Sequence, residues 1–347
     1  MKVELKHGDT RAVFDTEVGN IPLWQVGGRA VLHAAPWRDE AEVQTNPDIL
    51  PMEKRLAGDF FCMPFGKDDV AESPLHGSTA NDPWEVLREE GNRVVATANL
   101  DRFGGAVVVK DITLIGNAML QRHIVDKGAG EITFAHHPMV HMREGGRLSF
   151  SAKRAAMTDP TWQHPESNYW VVNQLRGDLH LELDGGGQWD GRTYPAGHVT
   201  EDFCVLVEAR GNTLGWTCVM RNAEDDMLLV LKDPAEMPVT MLWLSNGARD
   251  FPPWNSRHTG VLGIEDGCTL GGQGLKAARG DNPLRAMDVP TTIPLGQMHT
   301  IRHAMVSLPR PPGWSDLTEL RLSKGELHLR EAGGGTLSVP FPEGHFD

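Results

Sequence analysis

The sequence is short of the features that mark several familiar function classes. It has no apolar run approaching about eighteen residues, so no membrane-spanning helix is expected. Its opening stretch, MKVELKHGDTRAVFDTEVGN, holds no apolar segment of the kind a secretory signal carries, which points to the cytoplasm. The four cysteines, Cys62, Cys204, Cys218 and Cys268, lie far apart with no CxxC pair, and they read as reduced, structural thiols. Basic residues are outnumbered, 33 Lys plus Arg against 47 Asp plus Glu, for a formal charge of −14. A surface that acidic repels phosphate backbones and anionic lipid. This argues against nucleic-acid and membrane partners and leaves a small neutral ligand open. No internal repeat at a period of roughly 20–50 residues is visible. GGQG and GGGT lack the spacing of a dinucleotide fingerprint, so no organic cofactor is expected.

What is present is a chain of 347 residues, 40% apolar and 23% charged, a composition suited to a sizeable core. Short alternating runs dominate: NRVVATAN (92–99), GAVVVKDIT (105–113), MLQRHIV (119–125), LHLEL (179–183), FCVLV (203–207), LGWTCVM (214–220), MLLVL (227–231) and VTMLWLS (239–245). In LHLEL the leucines share one side of a pleat while His180 and Glu182 share the other, as in a half-buried strand. Thirty-eight glycines supply the positive-φ positions that many hairpins need. Helical periodicity is scarce, with a turn or two expected in MEKRLAG and in DPWEVLREE, and 271–292 reads as a loop. The expected fold is all-β, a large antiparallel sandwich with few short helices, in a single domain over residues 1–347.

Three segments carry chemistry. In PLHGSTANDPWEV (74–86), a glycine after His76 allows a sharp turn that projects the imidazole, and Trp84 reads as a core anchor. In FAHHPMVHM (134–142), a strand puts His137, Met139 and His141 on one face and His136 and Val140 on the other. His137 and His141 would then be about 13 Å apart, too far to share one ion, and Pro138 argues against a helical zinc motif. General acid and satisfied core histidine both stay open for this stretch. In the third, MLWLSNGARDFPPWNSRHTGVLGIEDGCTL (241–270), Glu265 ends an apolar strand. It is either a carboxylate tuned by burial or one half of an ion pair with Arg249 or Arg257.

These segments, in this order, resemble those of the aldose 1-epimerase (galactose mutarotase-like) superfamily. PLHGSTANDPWEV looks like its His-Gly loop before a Trp-Glu strand, AHHPMV like its His-Pro strand, and LGIEDG like its late glutamate strand. DFFCMPFGKDD (59–69) resembles the piece that brings Phe-x-x-Pro-Phe to the rim of the site. The resemblance implies a supersandwich with a sugar cleft on one concave face. It also implies exchange of the α and β anomers of a hexose without metal or cofactor. Carried over by position, His137 matches the general acid, Glu265 the general base and His76 a ligand-binding histidine. Asp202 lies about where a sugar-binding aspartate would. Lys67, Trp254 and Arg257 complete the expected substrate contacts, with Trp84, Trp243 and Phe65 as further flat faces. Ala80 stands where the sugar-phosphate branch often has arginine, and Gly66, Lys67 and Asp68 where relatives have Ser-Asn-Arg. These departures favour a free aldose over a sugar phosphate. A non-catalytic sugar-binding or regulatory protein is the alternative, a metal-dependent enzyme using the histidines a third reading, and a homodimer is allowed for.

Overall fold

The computed structural model describes residues 1–160 and 167–347. Two eight-stranded antiparallel sheets dominate it. One, the site sheet, runs in the order Leu175–Arg176, Lys153–Thr158, Thr200–Glu208, Val239–Asn246, Val261–Cys268, Phe134–His136, Phe61–Cys62, with Met139–His141 also paired to Val261–Cys268. The other, the back sheet, runs Gly146–Phe150, Gly215–Arg221, Asp226–Lys232, His299–Pro309, Ala118–Asp126, Ala106–Ile115, Arg93–Leu100, Glu85–Glu90. The architecture is the expected antiparallel β-sandwich, and among the described residues four short helices, Ala41–Thr45, Pro51–Lys54, Ser78–Asn81 and Leu275–Arg279, sit in connections.

Period-two alternation decides what each face meets. Along Thr200–Glu208, Cys204 and Leu206 enter the core shared by the two sheets, which also takes Leu242, Leu262 and Ile264 from the site sheet and Val108, Met119, Val230 and Met305 from the back sheet. Phe203, Val205 and Val207 point the other way, into a second cluster with Trp37, Phe60, Met241, Trp243 and Trp254 on the outer face of the site sheet. Loops and short helices from residues 35–65 and 270–289 cover that face, so the strand is buried on both sides. The outer face of the back sheet is covered by a C-terminal meander, Leu317–Ser323, Glu326–Glu331 and Thr336–Pro340.

Two local expectations change. DPWEVLREE contains no helix: Glu85–Glu90 is the edge strand of the back sheet, paired with Arg93–Leu100. Its charged side chains suit an exposed edge, where they oppose further strand pairing. The loop at 271–292 holds the helix Leu275–Arg279 and a 3₁₀ turn, Arg285–Met287. All four cysteines are buried and unbridged. No helix among the described residues is long and apolar enough to cross a membrane.

Candidate active site

The break at Pro138 organises the site. Before it, Phe134 faces Cys268 and Ala135 faces Gly267; after it, Met139 faces Gly263 and His141 faces Val261. Proline has no N–H to give the ladder, yet its carbonyl still accepts from the Ile264 N–H at 2.9 Å. One register therefore runs through the gap and sets His137 opposite Glu265. Side chains directly opposite on one face of an antiparallel pair are within contact range, and His137 Nε2 lies 3.1 Å from Glu265 Oε1. Gly263 precedes Glu265 by two residues on the same face. A Cβ there would stand 2.9 Å from Glu265 Oε1 and 3.1 Å from Trp243, so the missing side chain is what makes room for the carboxyl.

Aromatic rings wall the pair. Phe60 stacks on the His137 imidazole at 4.5 Å, and Trp243 and His76 meet it edge-on, both at 5.4 Å. His76 is projected by two successive positive-φ residues, itself at 64° and Gly77 at 74°. A Cβ on Gly77 would fall 2.1 Å from the Met63 carbonyl oxygen, so only glycine fits. The Gly66 N–H donates to His76 Nδ1 at 3.3 Å, which leaves Nε2–H as the donor of the neutral ring. Beyond Trp243, its indole N–H donates to Glu201, and Arg249 pairs with the same carboxylate at 2.6 Å. The Arg249 guanidinium lies 4.3 Å from the Trp254 ring centre, and its side chain is 23% exposed.

Burial sets the proton inventory. It pulls His137 down to about 4, the Asp59 charge opposing and the Arg249 charge assisting. Burial, helped by the Glu201 charge, pushes Glu265 well above the usual carboxylate range, with Arg249 pulling back. His76 is lowered by burial and then by His137 and Arg249. Burial therefore favours the uncharged form of both groups, a carboxylic acid facing a neutral imidazole at 3.1 Å. With the Glu201–Arg249 pair, the site carries no net charge.

No family model and no curated protein matches the sequence. Solved structures do match the fold. An aldose 1-epimerase candidate from Escherichia coli K12 is 14% identical with a TM-score of 0.63, over 89% of this chain and 99% of its own. A galactose mutarotase related enzyme from Lactobacillus acidophilus is 12% identical at 0.57, over 90% and 99%. A galactose mutarotase-like protein from Clostridium acetobutylicum is 12% identical at 0.59, over 88% and 94%. The chain has the galactose mutarotase-like fold. Identities this low establish the fold and leave function to be argued from the site.

Within this galactose mutarotase-like fold, His137, Glu265, His76, Trp243, Trp254 and Phe65 gather on the outer face of the site sheet. Asp202 does not. It shares the inter-sheet side with Cys204 and Leu206, where its carboxylate accepts the backbone N–H groups of Tyr169, Trp170 and Phe203. The acid on the site face is its neighbour Glu201, which strand parity with Phe203 and Val205 would have selected. Lys67 is exposed, and its carbonyl accepts from Leu275 N–H. Arg257 is paired with Glu40 and lies over Trp37 at 6.0 Å. Glu265 is partnered by His137, and neither arginine considered for it makes the bond. Trp84 is a core anchor, packed on Phe14 and Lys110. Phe60 and Glu201 are the site groups that motif reading passed over, and Arg249, considered only as a partner of Glu265, pairs with Glu201 instead.

One cluster has metal-ligand chemistry among the described residues: Asp59, His136 and His303, between the sheets. The two imidazoles stack at 4.0 Å with planes 13° apart. Nitrogen lone pairs lie in the ring planes, so nearly parallel stacked rings cannot both point at an ion held at about 2.0–2.1 Å. The trio does not fit a metal ion as arranged.

Proposed function

We propose that this protein is a mutarotase-like epimerase acting at the anomeric carbon of a neutral aldose. The observation that carries the reading is the facing pair of His137 and Glu265, two proton-transfer groups held in one register under aromatic walls. Opening a hemiacetal requires a proton to leave the anomeric hydroxyl while another reaches the ring oxygen. After the carbonyl rotates, both transfers reverse on the opposite face. A carboxyl and an imidazole that share one proton supply both halves, each serving as acid in one direction and base in the other. With the resting proton on Glu265, the carboxyl delivers to the ring oxygen and His137 receives from the hydroxyl on opening. This is the converse of the roles the resemblance implies, and ring closure exchanges them. In this reading His76 Nε2–H donates to a sugar oxygen, and the Trp243 and Trp254 rings offer faces to sugar C–H groups. A site without net charge favours a free aldose over a phosphorylated one. The unbridged cysteines suit the cytoplasm, and the core shared by both sheets supports one domain over 1–347.

Each group must reach its own sugar oxygen at about 2.6–3.2 Å, so the 3.1 Å contact has to part as the substrate enters. That closed contact, with His137 5% and Glu265 1% exposed, is also what favours the second reading, a pair that is structural in a non-catalytic sugar-binding protein. Anomeric-exchange NMR on glucose, galactose and other free and phosphorylated aldoses separates the two. Accelerated exchange that disappears in His137→Asn supports the enzyme. Saturation transfer to a bound sugar without any exchange supports the binding protein.

A further inference from the structure

We propose that Asp59 is a positioning residue that aims His137 by holding the peptide between His136 and His137. The inference rests on the reading of His137 as a proton-transfer group. Asp59 is fully buried, and its own carbonyl is tied to Ile21 N–H at 2.8 Å. Its carboxylate bridges two successive residues of the His-His-Pro strand. Oδ1 accepts the His137 backbone N–H at 2.9 Å, and Oδ2 accepts His136 Nδ1–H at 3.1 Å and the Gln121 side-chain amide at 2.5 Å.

The need for such a bridge follows from Pro138. On the Phe61–Cys62 side, Ala135 faces Cys62 and His136 faces Phe61, but that ladder stops where His137 begins. A residue that ends a ladder beside a proline has lost the main-chain bonds that normally fix its peptide plane. The carboxylate replaces them with charge-assisted bonds, stronger than neutral ones. Fixing that plane fixes the Cα–Cβ direction of His137, and with it the approach of Nε2 to Glu265. His136 supports this arrangement, because its ring, stacked on His303 and edge-on to Phe61 and His123, orients the carboxylate that holds its neighbour. Burial disfavours the charge on Asp59, yet His136, His303 and Gln121 keep it ionised.

Asp59→Asn tests this with little change of shape. The Asn carbonyl can still accept the His137 N–H, but an NH₂ replaces Oδ2, so His136 must change from its Nδ1–H to its Nε2–H tautomer. Histidine ¹⁵N spectra should show Nδ1–H for His136 in the wild type and Nε2–H in the variant. The His137 amide should exchange slowly in the wild type and shift in the variant. Anomeric exchange should lose about ten- to a hundredfold in kcat, as expected for a misaimed group, with KM within about twofold. A general loss of packing would not produce that split or the tautomer change. If Asp59→Asn fails to fold, the wild-type tautomer and amide exchange still decide. A wild-type His137 amide exchanging as fast as exposed loop amides overturns the proposal, as does a variant with unaltered His137 amide shift and kcat. Wild-type protein inactive on every aldose removes the proposed function, whereas the spectra continue to judge the tether.

Discussion

Replacing Glu265 by glutamine separates a neutral acid–imidazole contact from a buried ion pair, because the two respond with opposite sign. If His137 and Glu265 were an imidazolium–carboxylate pair, removing one charge would leave the other buried and cost about 3–5 kcal/mol. If the carboxyl is neutral, as its burial and the adjacent Glu201 charge dictate, Glu265→Gln is nearly isosteric and its amide N–H can still donate to His137 Nε2. The pH dependence then has a fixed direction. A carboxyl whose folded pKa is raised contributes full stability below its unfolded pKa and loses it as pH rises toward the folded value. Wild type should therefore fall relative to the variant by about 1.4 kcal/mol per pH unit above the ordinary glutamate value near 4.3. Other titrating groups are common to both proteins and cancel in the difference. Urea unfolding followed by tryptophan fluorescence at several pH values from about 5 to 8 measures it. Anomeric exchange should drop about 10²–10⁴-fold in the same variant. A variant less stable than wild type by several kcal/mol, with a difference flat in pH, would refute the neutral-pair account.

Three further outcomes follow from the same structure. His33, His76, His123, His136, His137, His258 and His345 are all held below their ordinary value by burial, with His136 and His137 at about 4. Their contribution to stability is present above pH 6.5 and lost as pH falls toward 4. Asp202 and Glu236, pushed up to about 7, and Glu265 act in the opposite sense. With His141 also lowered, more groups take up protons on unfolding than release them, so acid destabilises the fold and circular dichroism should show cooperative acid unfolding well above the carboxylate range. Asp202→Asn should lose about 1–3 kcal/mol of stability by disturbing its backbone bonds, with kcat and KM unchanged, because the side chain lies on the inter-sheet face. Gly263→Ala should cost about 1–3 kcal/mol through crowding and reduce kcat by displacing the Glu265 carboxyl, read from an unfolding curve and an exchange rate on the same sample.

Much of the fold was legible because strand alternation is a local property. The runs at 92–99, 105–113, 119–125, 203–207, 214–220, 227–231 and 239–245 all lie within or overlap observed strands. DPWEVLREE was misread because an edge strand in water has no apolar stripe to distinguish it from a polar helix. At the site, His137, His76 and Glu265 were found by motif and do converge. Asp202 was chosen by distance along the chain, which ignores parity, so the side chain chosen was one residue from the acid that faces the site. Arg257 and Lys67 were chosen by charge and proximity in sequence; Arg257 pairs with Glu40, and Lys67 is exposed.

By itself the sequence determined many of the buried strands and which of their side chains share a pleat, because the two-residue repeat of an extended backbone is a local property. Only the tertiary structure decided which strands lie side by side, which face of Thr200–Glu208 meets the site and that His137 stands opposite Glu265. Those outcomes depend on pairing between segments up to about 200 residues apart, set by the joint burial of whole sheet faces rather than by any residue's own preference.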